Sequence, residues 1–209
     1  ILVMPDDAGY GDYACLGNPV MQTPAVDAFM KQSLLFTRFH VSPTCAPCRG
    51  ALMSGRHEFK NGITHTIGGR ERMALSTHTL PQMLKSAGYS TGIFGKWHLG
   101  DDPGMTPIEQ GFDEAVWSEG NPPWWGYNRN AKRTDNAGYV TMGAFQWGAG
   151  PENFPYDTGG IMSGKKGEEP KMVAPFSMEL YNTMDTDVAD GVIDFIDRHA
   201  KSKMPLFVY

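Results

Sequence analysis

Three short stretches of the sequence carry reactive side chains at close spacing, and the first of them is the segment CAPCR. It places Cys45 three residues before Cys48 and four before Arg49. We predict a short helix over Cys45–Ser54, closed by Gly55, because glycine commonly follows the last turn of a helix. A helix start carries a partial positive charge, and Arg49 lies one turn along, so both stabilise an anion at position 45. The spacing therefore indicates an oxyanion pocket.

Cys45 also admits three other interpretations from the residues alone. With Cys48 it forms C-x-P-C, which is similar to a thioredoxin-type redox pair, although no aromatic residue precedes Cys45. A zinc site would need a second pair of ligands, and Cys15 and the scattered histidines offer no obvious one. A buried free thiol without chemistry is the plain alternative, since cysteine is among the most buried residue types.

The second reactive feature is a pair of adjacent carboxylates, Asp6 and Asp7. They follow the apolar run Ile1–Met4, which we predict to be a buried parallel strand. Ligands of open α/β sheets bind at the carboxyl ends of the strands, and two neighbouring carboxylates repel each other unless a cation lies between them. Hard oxygen ligands suit calcium or magnesium. The pair therefore indicates a metal site, and the alternative is an ordinary polar turn.

The third reactive feature is the pair Lys96 and His98, which comes after the predicted strand Tyr89–Phe94. Because they are two residues apart, both side chains point the same way if the strand continues. They would then supply a cation and a titratable base at one edge of the sheet. The alternative is a surface lysine beside a half-buried histidine.

Alternating helices and strands must position these residues. We predict a helix that starts at Thr23 and Pro24, helices over Thr79–Ala87 and Thr183–Lys201, and strands over Ser33–His40, Tyr89–Phe94 and Leu206–Tyr209. This order is typical of the α/β class with a parallel sheet. The region from about residue 100 to 176 has little periodicity, and such stretches are usually functional or disordered. Its tryptophans offer either an aromatic floor for a sugar or aryl group or simple packing, namely Trp124, Trp125 and Trp147.

Composition excludes several classes of protein. The 209 residues carry a net charge of −5 at a pI of about 5.6, which argues against nucleic-acid binding through phosphate contacts. Three cysteines do not make a disulfide framework. No run of eighteen apolar residues is present, so we expect no transmembrane span. Both ends fall on predicted core strands, and we therefore expect this sequence to be a fragment.

Several motifs, in order, resemble the sulfatase family. The stretch CAPCRGALMSGR resembles the sulfatase signature C-x-P-x-R with its following Leu, small hydroxyl residue, Gly and Arg. MPDDAGYGD resembles the metal-binding start of that fold, TLPQMLKSAGYSTGIFGKWHLG resembles the second signature, and GFDE follows it. TDVADGVIDFIDRHAKSKMPLFVY resembles the helix and strand before the later histidine of the family. The match implies an alkaline-phosphatase-like α/β fold, with a mixed and largely parallel sheet between helices. Residues 1–209 would be an incomplete N-terminal catalytic domain with an irregular insertion at about 117–178.

The resemblance also implies a function and a cofactor set. The protein would hydrolyse a sulfate monoester of a carbohydrate or aryl alcohol. Cys45 would be converted by a formylglycine-generating enzyme, or an equivalent maturase, into formylglycine, whose hydrate would be the nucleophile. One hydroxyl of the hydrate would attack sulfur, and the other would expel sulfate and restore the aldehyde. Asp6, Asp7 and the formylglycine at position 45 would bind a divalent cation, usually Ca²⁺ with Mg²⁺ as the alternative.

The same resemblance assigns the remaining catalytic positions. Arg49 would hold the formylglycine hydroxyl, and Lys96 and His98 would contact the sulfate and the nucleophile. Cys48 departs from the family, which more often has a small residue such as serine there. The later metal ligands and a later His and Lys would lie beyond Tyr209.

Two alternatives stay open beside the sulfatase hypothesis. The same cysteine motif occurs in relatives that hydrolyse phosphonate or phosphate esters, and Cys45 with Cys48 would alternatively serve a thiol–disulfide oxidoreductase. An inactive relative that only binds ligand is a third. Partners are then a sulfated small molecule or glycan and the maturase, with no nucleic acid. Sulfatases of this kind are mostly exported or lysosomal, so a periplasmic, extracellular or lysosomal location is favoured.

Overall fold

The computed structural model describes residues 1–66, 69–118, 160–175 and 177–209. The α-helices are α1 (Pro24–Met30), α2 (Cys45–Ser54), α3 (Leu80–Ser86) and α4 (Met178–His199). The strands are β1 (Ser90–Lys96), β2 (Glu114–Ser118), β3 (Gly160–Lys165), β4 (Lys171–Pro175) and β5 (Leu206–Val208). Short 3₁₀ helices cover Tyr10–Asp12, Ala14–Leu16 and Glu58–Lys60.

The strands form one mixed sheet in the order β4-β3-β2-β1-β5. Strands β2, β1 and β5 run parallel to one another. Strands β3 and β4 form an antiparallel hairpin beside β2. Parallel neighbours need a crossover connection, and α4 is the element that precedes β5 along the chain. The predicted α/β class with a mixed sheet is confirmed.

Apolar side chains cover both faces of the sheet, as expected for parallel strands between helices. On one face Ile93, Trp117 and Phe207 join a core cluster that includes Ala46 and Met53 of α2. On the other face the cluster is Phe94, Val208 and Phe195, the last from α4. The sheet therefore separates α2 from α4, and the catalytic candidates on α2 lie on the first face.

Local capping explains where the helices near the site begin and end. At α3 the Thr79 hydroxyl accepts from the Gln82 backbone N–H, while the Gln82 side chain accepts from the Thr79 N–H, which is a capping box. Gly55 ends α2 in the left-handed conformation with φ 62°, as predicted. Helix α4 starts at Met178, earlier than the predicted Thr183, because the Ser177 hydroxyl caps the Leu180 N–H.

Two predicted strands are wrong. Residues 1–4 make one backbone hydrogen bond to the sheet among the described residues, from Leu2 N–H to the Val208 carbonyl, and Val3 is 80 % exposed. Residues 33–40 form no strand, and Phe36 and Phe39 are 69 % and 76 % exposed. In both cases the apolar composition is present, but the ladder of hydrogen bonds to a neighbouring strand is missing, and that ladder defines a strand.

The region predicted to lack periodicity contains regular structure where it is described. Strand β2 lies within it, and residues 160–175 form the β3–β4 hairpin. Residues 119–159 and 176 lie outside the described residues, and so do Trp124, Trp125 and Trp147. The insertion boundaries at about 117 and 178 stay a prediction. In the described part of the chain, no helix combines the length and apolarity that crossing a bilayer requires.

Candidate functional site

Helix α2 presents the first site residues and is fixed to its surroundings at both ends. In the loop before it, the Ser42 hydroxyl donates to the buried Glu58 carboxylate at 2.7 Å. At its end, the Asn61 amide donates to the Ser54 hydroxyl at 3.0 Å, and that hydroxyl donates back to the Gly50 carbonyl. Because both flanks are tied, the first turn of α2 is held in a defined place.

The first half of the site is a charged cluster around Asp6, here called the Asp6 cluster and comprising Asp6, Arg49, Lys96 and Tyr209. One Asp6 oxygen accepts from Arg49 Nη2 at 3.2 Å, and the other accepts from Lys96 Nζ at 2.6 Å. Arg49 Nη1 donates to the Lys96 carbonyl at 2.8 Å and to the Tyr209 hydroxyl at 2.7 Å. Arg49 is 4 % exposed, so its guanidinium is a buried cation with fixed partners.

Charge sets the titration of this cluster. Burial alone raises the pKa of Asp6, but the hydrogen bond and charge of Lys96, with the charge of Arg49, outweigh it and lower the pKa. Burial raises the pKa of Tyr209, so its phenol stays protonated. The Tyr209 hydroxyl can then accept from Arg49 and donate to the Met4 sulfur at 3.2 Å.

The second half of the site is centred on Thr66 and is here called the Thr66 cluster, comprising Cys45, Thr66 and His98. Cys45 Sγ and Thr66 Oγ1 are hydrogen-bond partners 2.7 Å apart. The Thr66 carbonyl lies 2.8 Å from His98 Nε2. A carbonyl only accepts, so Nε2 carries the proton, and Nδ1 of the neutral ring is left as an acceptor.

His98 is held as a neutral base. Its backbone has φ 59°, an uncommon conformation for a residue with a side chain, and it is 4 % exposed. Burial, followed by the positive charge of Lys96, lowers the pKa of His98 to about 3. His98 Nδ1 and Arg49 Nε are buried and have no hydrogen-bond partner in the described part of the chain. One acceptor and one donor at the site are thus unsatisfied.

Asp7 contributes a carboxylate of a different kind. It is exposed, adopts φ 56°, and makes no ion pair with the other described residues, whereas both oxygens of Asp6 already face cations. Together the two carboxylates have the hard oxygen chemistry that Ca²⁺ or Mg²⁺ requires. Among the described residues, no three His, Cys, Asp or Glu side chains group together as a complete metal site. Asp6 and Asp7 therefore fit part of a cation site.

A cleft of about 1230 Å³ opens beside the Asp6 cluster. Its polar end is lined by Asp6, Asp7, Arg49 and Lys96, and the rest of its wall is largely apolar. Cys45 and His98 are outside this lining. The cleft therefore gives access to the charged half of the site.

The structure corrects two expected geometries. Strand β1 ends at Lys96, so the strand does not continue to His98, and the two side chains diverge to Asp6 and to Thr66. Cys45 and Arg49, one turn apart on α2, diverge as well: Arg49 contacts Asp6, while Cys45 contacts Thr66. The predicted residues are brought together in two groups rather than one.

Sequence reasoning missed Thr66 and Tyr209. Tyr209 closes a predicted strand, and that position at a carboxyl end is a signal that could have marked it. Thr66 carries no comparable signal. The three cysteines are free thiols, and burial raises the pKa of Cys48, whose role the structure does not explain.

Comparison with known proteins identifies the family. The family model described as Sulfatase matches residues 1–209. N-acetylgalactosamine-6-sulfatase from Canis lupus familiaris is 32 % identical over 222 aligned residues, which cover 100 % of this chain and 38 % of that protein. Arylsulfatase G from Rattus norvegicus is 34 % identical over 145 residues, covering 66 % of this chain and 26 % of that protein.

A solved structure shows the same fold. The crystal structure of the PsFucS1 sulfatase from Pseudoalteromonas sp. superposes with a TM-score of 0.74 at 22 % identity, covering 97 % of this chain and 41 % of that chain. The predicted alkaline-phosphatase-like fold is thereby confirmed. The chain spans between about a quarter and two fifths of the length of these relatives. Since the family model matches the chain from its first residue to its last, the chain belongs to the sulfatase family.

Proposed function

We propose that this chain is part of a sulfuric ester hydrolase that cleaves the sulfate monoester of a carbohydrate or an aryl alcohol. The observation that carries the proposal is the convergence of Arg49 and Lys96 on Asp6, beside the helix that begins at Cys45. Two cations held in fixed positions are suited to binding the oxygens of a sulfate group. Family membership gives this arrangement its most direct interpretation.

Sulfatases generally depend on formylglycine and on a metal ion, and for this chain we assign the formylglycine to Cys45. As a hydrate, that group supplies a hydroxyl for attack on sulfur and a second hydroxyl whose deprotonation releases sulfate. A maturase is the implied partner, since the conversion of Cys45 is a post-translational step. Asp6 and Asp7 would hold a divalent cation, Ca²⁺ in our proposal with Mg²⁺ as the alternative.

Arg49 and Lys96 would bind and orient the sulfate oxygens. Asp6 pairs with both side chains and offsets one of their two positive charges, so the pocket is held together before substrate arrives. Arg49 Nε has no acceptor among the described residues, beside the bonded Nη1 and Nη2. Preorganised donors of this kind stabilise charge that develops on a transferring group without further reorganisation.

His98 would accept a hydrogen bond from a hydroxyl of the hydrate. Its Nδ1 has no partner among the described residues, and the low pKa keeps the ring neutral throughout the physiological range. An imidazole of such low basicity orients a hydroxyl within hydrogen-bond distance rather than removing its proton, since a general base works best with a pKa near the operating pH. The Thr66 carbonyl fixes which nitrogen is available.

The substrate class follows from the relatives by name. One relative is named as an N-acetylgalactosamine-6-sulfatase and another as an arylsulfatase. We therefore propose a sulfated sugar or aryl ring, with the apolar wall of the cleft as the surface for its ring.

The test combines mass spectrometry with turnover of the full-length protein that contains this chain. We expect the peptide over Cys45 to lose the mass difference between CH₂SH and CHO, and we expect the protein to release sulfate from an aryl or sugar sulfate. Cys45→Ala, produced in the same host, is the matched control and should do neither. A matched phosphate ester tests the phosphohydrolase alternative, because a preference for phosphate by orders of magnitude would overturn the sulfatase proposal. A reversible loss of two hydrogens at Cys45 and Cys48 would indicate the oxidoreductase instead.

A further inference from the structure

We propose that Thr66 is a positioning residue of this site, whose hydroxyl donates to the oxygen at position 45 and whose carbonyl fixes the tautomer of His98. The inference rests on the proposed function, because it assumes that position 45 carries oxygen rather than sulfur. It concerns a residue that the motifs do not contain. Its basis is that one residue makes both contacts.

The first contact is suited to oxygen. The separation of 2.7 Å between Cys45 Sγ and Thr66 Oγ1 is the usual distance of an O–H···O hydrogen bond. Sulfur is the larger atom and ordinarily stays further from an oxygen. A hydroxyl oxygen of the hydrate at the same place would accept from the Thr66 hydroxyl at a normal length. The pocket around position 45 therefore matches the converted residue.

The second contact is made by the backbone of the same residue. Because the Thr66 carbonyl accepts from His98 Nε2, His98 Nδ1 has no proton and no partner among the described residues. Thr66 thus contacts the reacting residue with its side chain and fixes the tautomer of His98 with its main chain. Cys45, Thr66 and His98 come from three separate segments, a helix, a loop and the residues after β1. A displacement of this one residue would misalign both groups.

Three variants isolate the hydroxyl. Thr66→Val removes it at nearly constant shape, Thr66→Ser retains it, and Thr64→Val changes an exposed threonine of the same loop as a matched control. Each variant is made in the full-length protein, its folding is checked by thermal unfolding, and its rates are divided by the fraction of position 45 in the formylglycine form. If Thr66→Val does not fold, Thr66→Ala replaces it.

The first readout is turnover of an aryl sulfate. We expect Thr66→Val to lower kcat about tenfold with a much smaller change in KM, since one hydrogen bond to a reacting group is lost. Thr66→Ser should restore kcat to within about twofold of the wild type, as should Thr64→Val. An unchanged kcat in Thr66→Val, or a Thr66→Ser variant as slow as Thr66→Val, would overturn the proposal.

The second readout does not depend on turnover. An aminooxy reagent forms an oxime with the aldehyde at position 45. A hydrogen bond to the hydrate shifts the hydration equilibrium of residue 45 toward the hydrate and so lowers the fraction of free aldehyde. We expect oxime formation to be about fivefold faster in Thr66→Val and unchanged in Thr66→Ser. An oxime rate equal to that of the wild type in Thr66→Val would contradict the contact. The two proposals fail in different ways. If the wild type shows neither conversion of Cys45 nor release of sulfate, the proposed function is wrong. If the wild type is active and the Thr66 variants behave like it, only the role of Thr66 is wrong.

Discussion

The Asp6 cluster and the Thr66 cluster take residues from the same two segments, helix α2 and residues 96–98, yet they differ in charge. Around Asp6, one carboxylate offsets part of the charge of two cations, and most polar atoms are bonded. Around Thr66 the histidine is neutral, and its buried Nδ1 has no partner in the described part of the chain. In the proposed function, the cations that bind the anion are preassembled, whereas the acceptor of His98 is left open for the nucleophile. The contrast suggests a division of roles within the proposed site, with anion binding in one cluster and positioning of the nucleophile in the other.

The largest effect is expected from the Thr66 cluster. His98→Asn removes the Nδ1 acceptor but suits the local backbone, because Asn tolerates positive φ better than most residues. We expect kcat for an aryl sulfate to fall by about 10²–10³, as is typical when one preorganised polar contact to the reacting groups is lost. Steady-state kinetics of the full-length protein measures this, and His78→Asn, at an exposed position, is the control. A loss confined to KM would mean that His98 binds substrate rather than orienting the nucleophile.

The function of the Asp6 cluster should depend on the planar shape of the Arg49 guanidinium as well as on its charge. Arg49→Lys keeps the charge but cannot bond Asp6, the Lys96 carbonyl and Tyr209 at once, since an ammonium lacks the planar fork. We expect kcat/KM to fall by about 10²-fold, the lower end of what loss of a preorganised donor costs. Arg38→Lys, on an exposed loop, should leave kcat/KM unchanged. Equal rates for Arg49→Lys and the wild type would show that charge alone suffices.

The lowered pKa of His98 predicts how the free energy of unfolding depends on pH. The folded pKa of about 3 lies below the ordinary value of 6.5, so the unfolded chain binds a proton that the folded protein refuses. The free energy of unfolding should be constant in this respect above pH 6.5 and should fall below it, with a slope approaching ~1.4 kcal/mol per pH unit. Lys96 and Arg49 oppose the charged ring, and Asp6 favours it only weakly.

Urea unfolding between pH 5 and 8 measures this dependence. His98→Asn should flatten the part of the curve below pH 6.5, while His78→Asn should leave it as in the wild type. Identical slopes in His98→Asn and the wild type would contradict a neutral, buried His98.

The smallest effect is expected from Tyr209, the uncharged member of the Asp6 cluster. Tyr209→Phe removes one acceptor of Arg49 Nη1, which keeps its bond to the Lys96 carbonyl. We expect a loss of about 1 kcal/mol in the free energy of unfolding and a threefold or smaller change in kcat, about the net value of one hydrogen bond. Tyr89→Phe is the control, because this partly buried tyrosine packs against the same core cluster as Tyr209 but lies outside the Asp6 cluster. A loss of kcat as large as that of Arg49→Lys would place Tyr209 in the reaction itself.

How far the sequence predicts this site depends on whether a residue is placed by local or by tertiary contacts. The bounds of α2 are predicted correctly, because its start and its glycine cap are signals within a few residues of the helix. The divergence of Lys96 and His98 is not, since it depends on where pairing with β2 stops. Thr66 meets Cys45 across 21 residues of chain, and no periodicity or spacing encodes that approach.

The same distinction holds for the fold. Helix α3 and strand β1 are predicted because capping and apolar runs are local. The strand predicted over 33–40 fails because a strand exists only with a partner, and the composition of one segment does not supply it. Strands β3 and β4 were missed for the complementary reason, since β4 carries mostly exposed side chains.

The apolar side chains of α1 and of residues 33–40 have a practical consequence for handling the protein. Phe29, Leu34 and Phe39 are each more than 70 % exposed, and exposed apolar side chains favour association in water. The isolated 209-residue polypeptide should bind the fluorescent dye ANS and self-associate at high concentration. Colloidal behaviour, rather than catalysis, would then dominate assays on the isolated polypeptide, so turnover and unfolding should be measured on the full-length protein.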